Sequence, residues 1–210
     1  MSKVFCAVLL LGTCALGQQR EIGFLGGGGF LKGLPVQDTS LPVTAGFQAG
    51  PAVGFLIGHD LYSRWSGEIR YVFEHQNLKL TAADGTAVSF GGQAHVVQYD
   101  VVFHTRPRNE KIRPYVAMGG GIKLYRGTGT ETAYRPLMDY AYLTRTQELK
   151  PMFAVGGGVK VRMSRRTTLR IDLRDQITRF PEKVIAPAPG TKLSGWLHDF
   201  LPAVGISWDF

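Results

Sequence analysis

Apolar and polar residues alternate with a period of two along most of this chain, and the 3.6-residue period of an amphipathic helix is nearly absent. The alternation predicts strands over Ile22 to Leu31, Val43 to Ile57, Trp65 to Leu80, Gln93 to Thr105, Arg113 to Arg126, Leu149 to Met163, Thr167 to Ile177 and Trp196 to Phe210. In the second, Phe47, Val53, Phe55 and Ile57 share a face. In the third, Ile69, Tyr71 and Phe73 alternate with Glu68, Arg70 and Glu74, and in the fourth Val97, Tyr99, Val101 and Phe103 oppose Gln98, Asp100 and His104. The connections alternate too. His59 to Arg64, Arg106 to Ile112 and Ser164 to Arg166 are short, whereas Lys32 to Pro42, Thr81 to Gly92, Gly127 to Glu148 and Pro181 to Gly195 are long and polar or Pro-rich. Short turns at one end and long loops at the other are the asymmetry of a transmembrane β-barrel. The expected fold is therefore all-β: an eight-stranded antiparallel up-and-down transmembrane barrel.

The charged residues decide which face looks outward. With the apolar parity outside, the other parity collects Glu68, Arg70, Glu74, Asp100, Lys123, Lys160, Arg162, Arg170, Asp172, Arg174 and Asp209. A charge facing lipid costs roughly 2–4 kcal/mol near the bilayer midplane, so this set belongs in the lumen. An eight-stranded barrel is only wide enough for side chains to fill it, which predicts a plugged network of ion pairs. The glycine runs Gly26 to Gly29, Gly119 to Gly121 and Gly156 to Gly158 leave room for such side chains or ease the curvature of a small barrel.

Composition narrows the setting. No apolar run reaches the roughly 20 residues of a membrane-spanning helix. Residues 1–17 read as a secretory signal peptide: Lys3 is followed by an apolar core from Val4 to Leu11 and by Ala15-Leu16-Gly17, with small residues where cleavage is specified. Cleavage before Gln18 leaves 18–210 as one barrel domain. Both cysteines, Cys6 and Cys14, leave with the leader, which removes disulfides and thiol chemistry from the mature chain. The formal charge of +8 suits anionic headgroups and lipopolysaccharide phosphates better than nucleic acid in an exported protein.

The last residues, Val204-Gly205-Ile206-Ser207-Trp208-Asp209-Phe210, keep an apolar residue at alternate positions and end in phenylalanine. This looks like the terminal strand by which outer-membrane proteins engage the barrel-assembly machinery. Leu169-Arg170-Ile171-Asp172-Leu173-Arg174-Asp175 resembles the penultimate strand of the small OmpA/OmpX-like outer-membrane β-barrel domain family. The resemblance implies an eight-stranded barrel of the bacterial outer membrane, and the even strand count puts both termini on the short-turn side, expected to be the periplasm. It also implies roles among adhesion, envelope integrity and weak solute passage, and it carries over no catalytic residue. Trp65, Phe103, Trp208 and Phe210 are expected at the periplasmic interface and Trp196 at the outer one, since rings with an apolar body collect at headgroup level. No catalytic, cofactor-binding or metal-binding residues are assigned: His59, His75, His95, His104 and His198 form no i, i+2 pair, and none precedes a serine by two positions. The favoured reading is a non-enzymatic envelope protein that contacts a surface protein or glycan through loops, above all Gly127 to Glu148 with Tyr134, Leu137, Met138, Tyr140 and Tyr142. A lipid-modifying enzyme, a narrow pore and a soluble periplasmic carrier are the alternatives.

The leader assignment predicts a mature N-terminus within a few residues of Gln18. N-terminal sequencing of the protein recovered from the cell envelope checks it, and an intact Met1 there would contradict the assignment.

Overall fold

The computed structural model describes residues 20–132 and 135–210; the leader assigned to residues 1–17 and the loop residue Tyr134 lie outside the described residues. Eight strands close on themselves: β1 (Arg20–Leu31), β2 (Gly50–Asp60), β3 (Trp65–Glu74), β4 (Gly92–His104), β5 (Ile112–Gly127), β6 (Gln147–Arg162), β7 (Thr167–Arg179) and β8 (Trp196–Asp209). Each pairs antiparallel with its neighbours in the chain, and β8 returns to β1, with Phe24 opposite Ile206 on one side and Phe55 on the other. Closure satisfies every strand edge, as hydrocarbon demands, because a backbone N–H or C=O left open there has no water to bond.

The outward parity forms an apolar belt. Phe24, Val53, Phe55, Ile69, Val116, Met118, Phe153, Ile171, Leu173 and Val204 are all exposed, while Arg70, Lys123, Arg170 and Arg174 are fully buried on the other parity. That inversion of a soluble barrel is what lipid outside and a polar interior require.

Two strands stop earlier than the alternation predicts. Val43–Phe47 and Leu78–Ala82 leave the barrel and pair with each other. With Leu34–Pro35 and Ala87–Phe90 they make a four-stranded sheet beyond the long-loop end, and Ala141–Leu143 pairs with Ile185–Pro187 beside it. The expected long loops are therefore a folded cap, with its own core of Val36, Val43, Ala45, Phe47, Leu78, Leu80 and Phe90 from one side and Ala141, Leu143, Phe180, Val184, Ile185 and Leu193 from the other. Phe47 does not share the outward face of Val53 and Phe55. It packs into this core with its ring centroid 5.1 Å from that of Tyr125. Beyond the membrane the surroundings are water, so apolar side chains turn inward.

Full burial of a leucine or phenylalanine stabilises by about 1.5–3 kcal/mol, enough for a core of this size to hold the cap together. Replacing the fully buried Leu80 with alanine should cost about 2–5 kcal/mol there. The expected result is loops that become protease-sensitive while the barrel stays heat-modifiable on a gel. Unchanged loop resistance would contradict an independently packed cap.

Candidate functional site

The lumen is built in layers along the barrel axis. Nearest the short turns lies a network of four bases and four acids: Arg70, Lys160, Arg170 and Arg174 with Glu21, Glu68, Asp100 and Asp172. Glu68 is its hub. It accepts from Arg170 at 2.8 Å and Arg70 at 3.1 Å and pairs with Lys160 at 3.1 Å. Asp172 joins Arg70, and its second oxygen lies 3.2 Å from Nε of Arg174. Asp100 lies between Arg70 and Arg174 at 3.4 and 3.5 Å and accepts from Gln98 at 2.8 Å. The Tyr115 ring supplies a face to these cations, with Arg170 and Arg174 at 5.6 and 5.8 Å from its centroid.

The glycine runs make the space. A β-carbon at Gly119 would fall 2.2 Å from an Asp100 carboxylate oxygen, and one at Gly156 would fall 2.8 Å from Cδ of Arg174. Neither position accepts a side chain without displacing a member of the network.

Above this layer Ala52, Val72, Val96, Met152, Ala154 and Leu201 form an apolar disc. Beyond it sits a second, smaller network, in which Lys123 donates to Glu74 at 2.7 Å, to Asp199 at 2.5 Å and to Gln176 at 3.0 Å. Gln76 also donates to Asp199, at 3.1 Å, and the Tyr125 and Thr178 hydroxyls bond at 2.7 Å at the base of the cap.

Of the residues assigned to a lumen network, Glu68, Arg70, Asp100, Lys160, Arg170, Asp172 and Arg174 meet in the first layer, and Glu74 and Lys123 meet in the second. Glu74 is therefore not a partner of the arginines. Arg162 belongs to neither layer: it sits at the short-turn mouth and donates to the carbonyls of Arg108 and Asn109. Glu21 and Asp199 are members that the pattern reading omitted. Their parity could have found them, since Asp199 shares a face with Asp209 on β8, and Glu21 immediately precedes the first predicted strand.

The assigned aromatics all lie on the outer surface or its rims. Trp65 and Phe103 pair across β3 and β4 at 4.9 Å between centroids near the short turns. Trp208 meets Phe24 edge-on at 6.3 Å, Phe210 follows β8, and Trp196 opens β8 at the loop end beneath the Arg179 guanidinium at 5.3 Å.

Two histidine pairs bear on catalysis. Ser66 bonds Nε2 of His104 at 3.1 Å inside the barrel, yet His104 Nδ1 has no acid to orient it. His198 bonds Asp175 at 2.8 Å on the lipid-facing side, and among the described residues neither bonds a hydroxyl that could act as nucleophile.

Finally, the short-turn mouth holds a cavity of about 610 Å³ floored by Glu21, Lys160, Ser66 and Thr168.

An eight-stranded closed barrel, apolar outside and charged within, is the architecture of a small outer-membrane barrel protein. Among solved structures, the chain matches the outer membrane protein OprG of Pseudomonas aeruginosa with a TM-score of 0.61 at 9% identity, covering 92% of this chain and 96% of that one. It matches Neisserial surface protein A at 0.56 and 8% identity, over 92% and 99% of the two chains. The N-terminal barrel domain of Pseudomonas aeruginosa OprF matches at 0.52 and 14% identity, over 91% and 97%. The shared property is the fold, that of the small OmpA/OmpX-like barrels. No protein-family model matches the chain, and no curated protein matches it.

Asp172 is the sharpest probe of the first network, because its loss leaves four buried bases against three acids. Asp172→Ala should destabilise the barrel by about 3–5 kcal/mol. Denaturant unfolding in lipid vesicles measures this, and an unshifted midpoint would show that the pairs carry no net stability.

Proposed function

We propose that this chain is a non-enzymatic protein of the bacterial outer membrane, in which a barrel with a closed lumen holds a folded cap of loops at the cell surface. The short turns and both ends of the chain then face the periplasm. The observation that carries the reading is the cap. Among the described residues seventeen buried ones, most of them outside the eight barrel strands, share one apolar core, so the surface they present has a fixed shape rather than that of solvated hairpins. A preformed surface binds at lower entropic cost than a mobile one, which favours a role in contacting a surface protein or glycan.

The interior supports closure. The two ion-pair networks lie on either side of the apolar disc, and a void beside that disc measures about 10 Å³, at the lower limit for a single water. A soluble carrier would need an apolar lumen and a polar exterior, the reverse of what the parities provide. A lipid-modifying enzyme would need a nucleophile beside the His198–Asp175 pair. Arg126 and Arg179, exposed at the loop ends of β5 and β7, suit the phosphates of lipopolysaccharide. The terminal strand β8 suits engagement by the barrel-assembly machinery.

The purified protein in planar bilayers is expected to show no steady conductance. Large, stable, single-step openings would overturn the closed barrel and move a pore to first place.

A further inference from the structure

The first ion-pair network is balanced, four charges against four, so the chain's positive surplus lies elsewhere. Part of it is concentrated in the cavity of about 610 Å³ at the short-turn mouth, whose lining carries seven basic and four acidic side chains, a surplus of three. Some of these groups are structural. Lys160 is engaged by Glu21 at 2.5 Å, Arg108 pairs with Asp60, and Arg162 ties the 105–111 turn to β6 through two backbone carbonyls.

What remains is the site. Lys111, Arg113, Arg165 and Arg166 line the cavity and make no ion pair with a described residue, and only Glu110 and Asp209 stand unengaged against them. Arg113 projects from the inner face at the start of β5, and its Nε is buried with no hydrogen-bond partner. Cations gathered in a partly enclosed space repel one another, and protein walls screen them less than open water does. Such a pocket focuses potential on an anion that enters it.

The size and approach directions narrow the ligand. The volume falls within the range of small-molecule sites, roughly 300–1,000 Å³. The free bases arrive from separate segments, the 105–111 turn, β5 and the 163–166 turn, so they converge on a centre from several sides. A tetrahedral phosphate, with oxygens in several directions, suits that arrangement better than a planar carboxylate. Because the pocket is inside the barrel mouth, a headgroup still held in the bilayer cannot reach its floor. We infer that the short-turn mouth is a binding site for a compact, water-soluble oligoanion carrying two or more phosphate groups. This site lies at the opposite end of the barrel from the loop cap and does not depend on what the cap contacts.

The test is calorimetric titration of sodium tripolyphosphate into the full chain, refolded in an uncharged maltoside detergent. Saturable one-to-one binding that weakens with added salt is expected. Arg113→Gln should lower the affinity about tenfold, the effect of losing one charge-assisted contact. Arg165→Gln with Arg166→Gln, two exposed turn residues with no part in the lumen networks, should lower it at least as much, and this pair decides the matter if the Arg113 variant does not fold. Arg106→Gln, a neighbouring base outside the cavity lining, should change nothing. Absence of saturable binding would overturn the site, as would an equal loss in the Arg106 variant, which would mean diffuse surface attraction. Citrate binding as tightly as tripolyphosphate would overturn the phosphate assignment.

Discussion

Hydrocarbon offers no hydrogen bonds, and that one constraint organises this molecule. A strand crossing it must have both edges paired, so the sheet closes, and closure with eight strands leaves a bore no wider than the side chains that fill it. The outward positions must then be apolar, which sends each charged residue of the spanning segments to the inside, apart from groups at the rims and the His198-bonded Asp175. Once inside, those charges have no solvent and must neutralise one another. The balanced network around Glu68 and Asp172 answers that requirement, and the glycines at positions 119 and 156 are needed because the Asp100 carboxylate and the Arg174 side chain occupy the space where their side chains would stand.

The medium outside the barrel changes along its axis, and the interior changes with it. At membrane depth the wall is apolar outward and charged inward. Past the loop-end rim the outside is water, and the same alternation turns its apolar residues toward Phe47, Leu80 and Ile185 to make the cap core. At the other rim the short turns are too brief to build a core, and the lining there keeps uncompensated arginines around an open cavity. The lumen thus passes from apolar cap through the Lys123 network, the apolar disc and the Glu68 network to a cationic mouth. Each transition follows from what the neighbouring layer can satisfy.

This layering separates the two ends chemically. The cap offers a shaped surface of mixed aromatic and polar groups, and the mouth offers concentrated positive charge, with the two ion-pair networks and the apolar disc between them. The lipid-facing wall is where Trp65, Phe103 and Trp196 stand, at heights where an amphipathic ring is best solvated.

The number of barrel strands, the faces of Ile69, Tyr71 and Phe73 against Glu68, Arg70 and Glu74, and the inward placement of the charges were legible in the sequence, because a period of two records on which side of a strand each side chain lies. What that side chain meets was not legible. Val43, Ala45 and Phe47 keep the parity of Val53 and Phe55 across Gly50-Pro51, so the alternation does not record that lipid has given way to a protein core. Pairing within the lumen was equally hidden. Arg170 meets Glu68 across 102 residues of chain, and Lys123 rather than an arginine takes Glu74, because strand register and tilt set the height at which each inward group stands. Parity is a local property of the backbone and survives in the sequence. Height along the axis is set by eight registers closing at once, and only the tertiary structure resolves them.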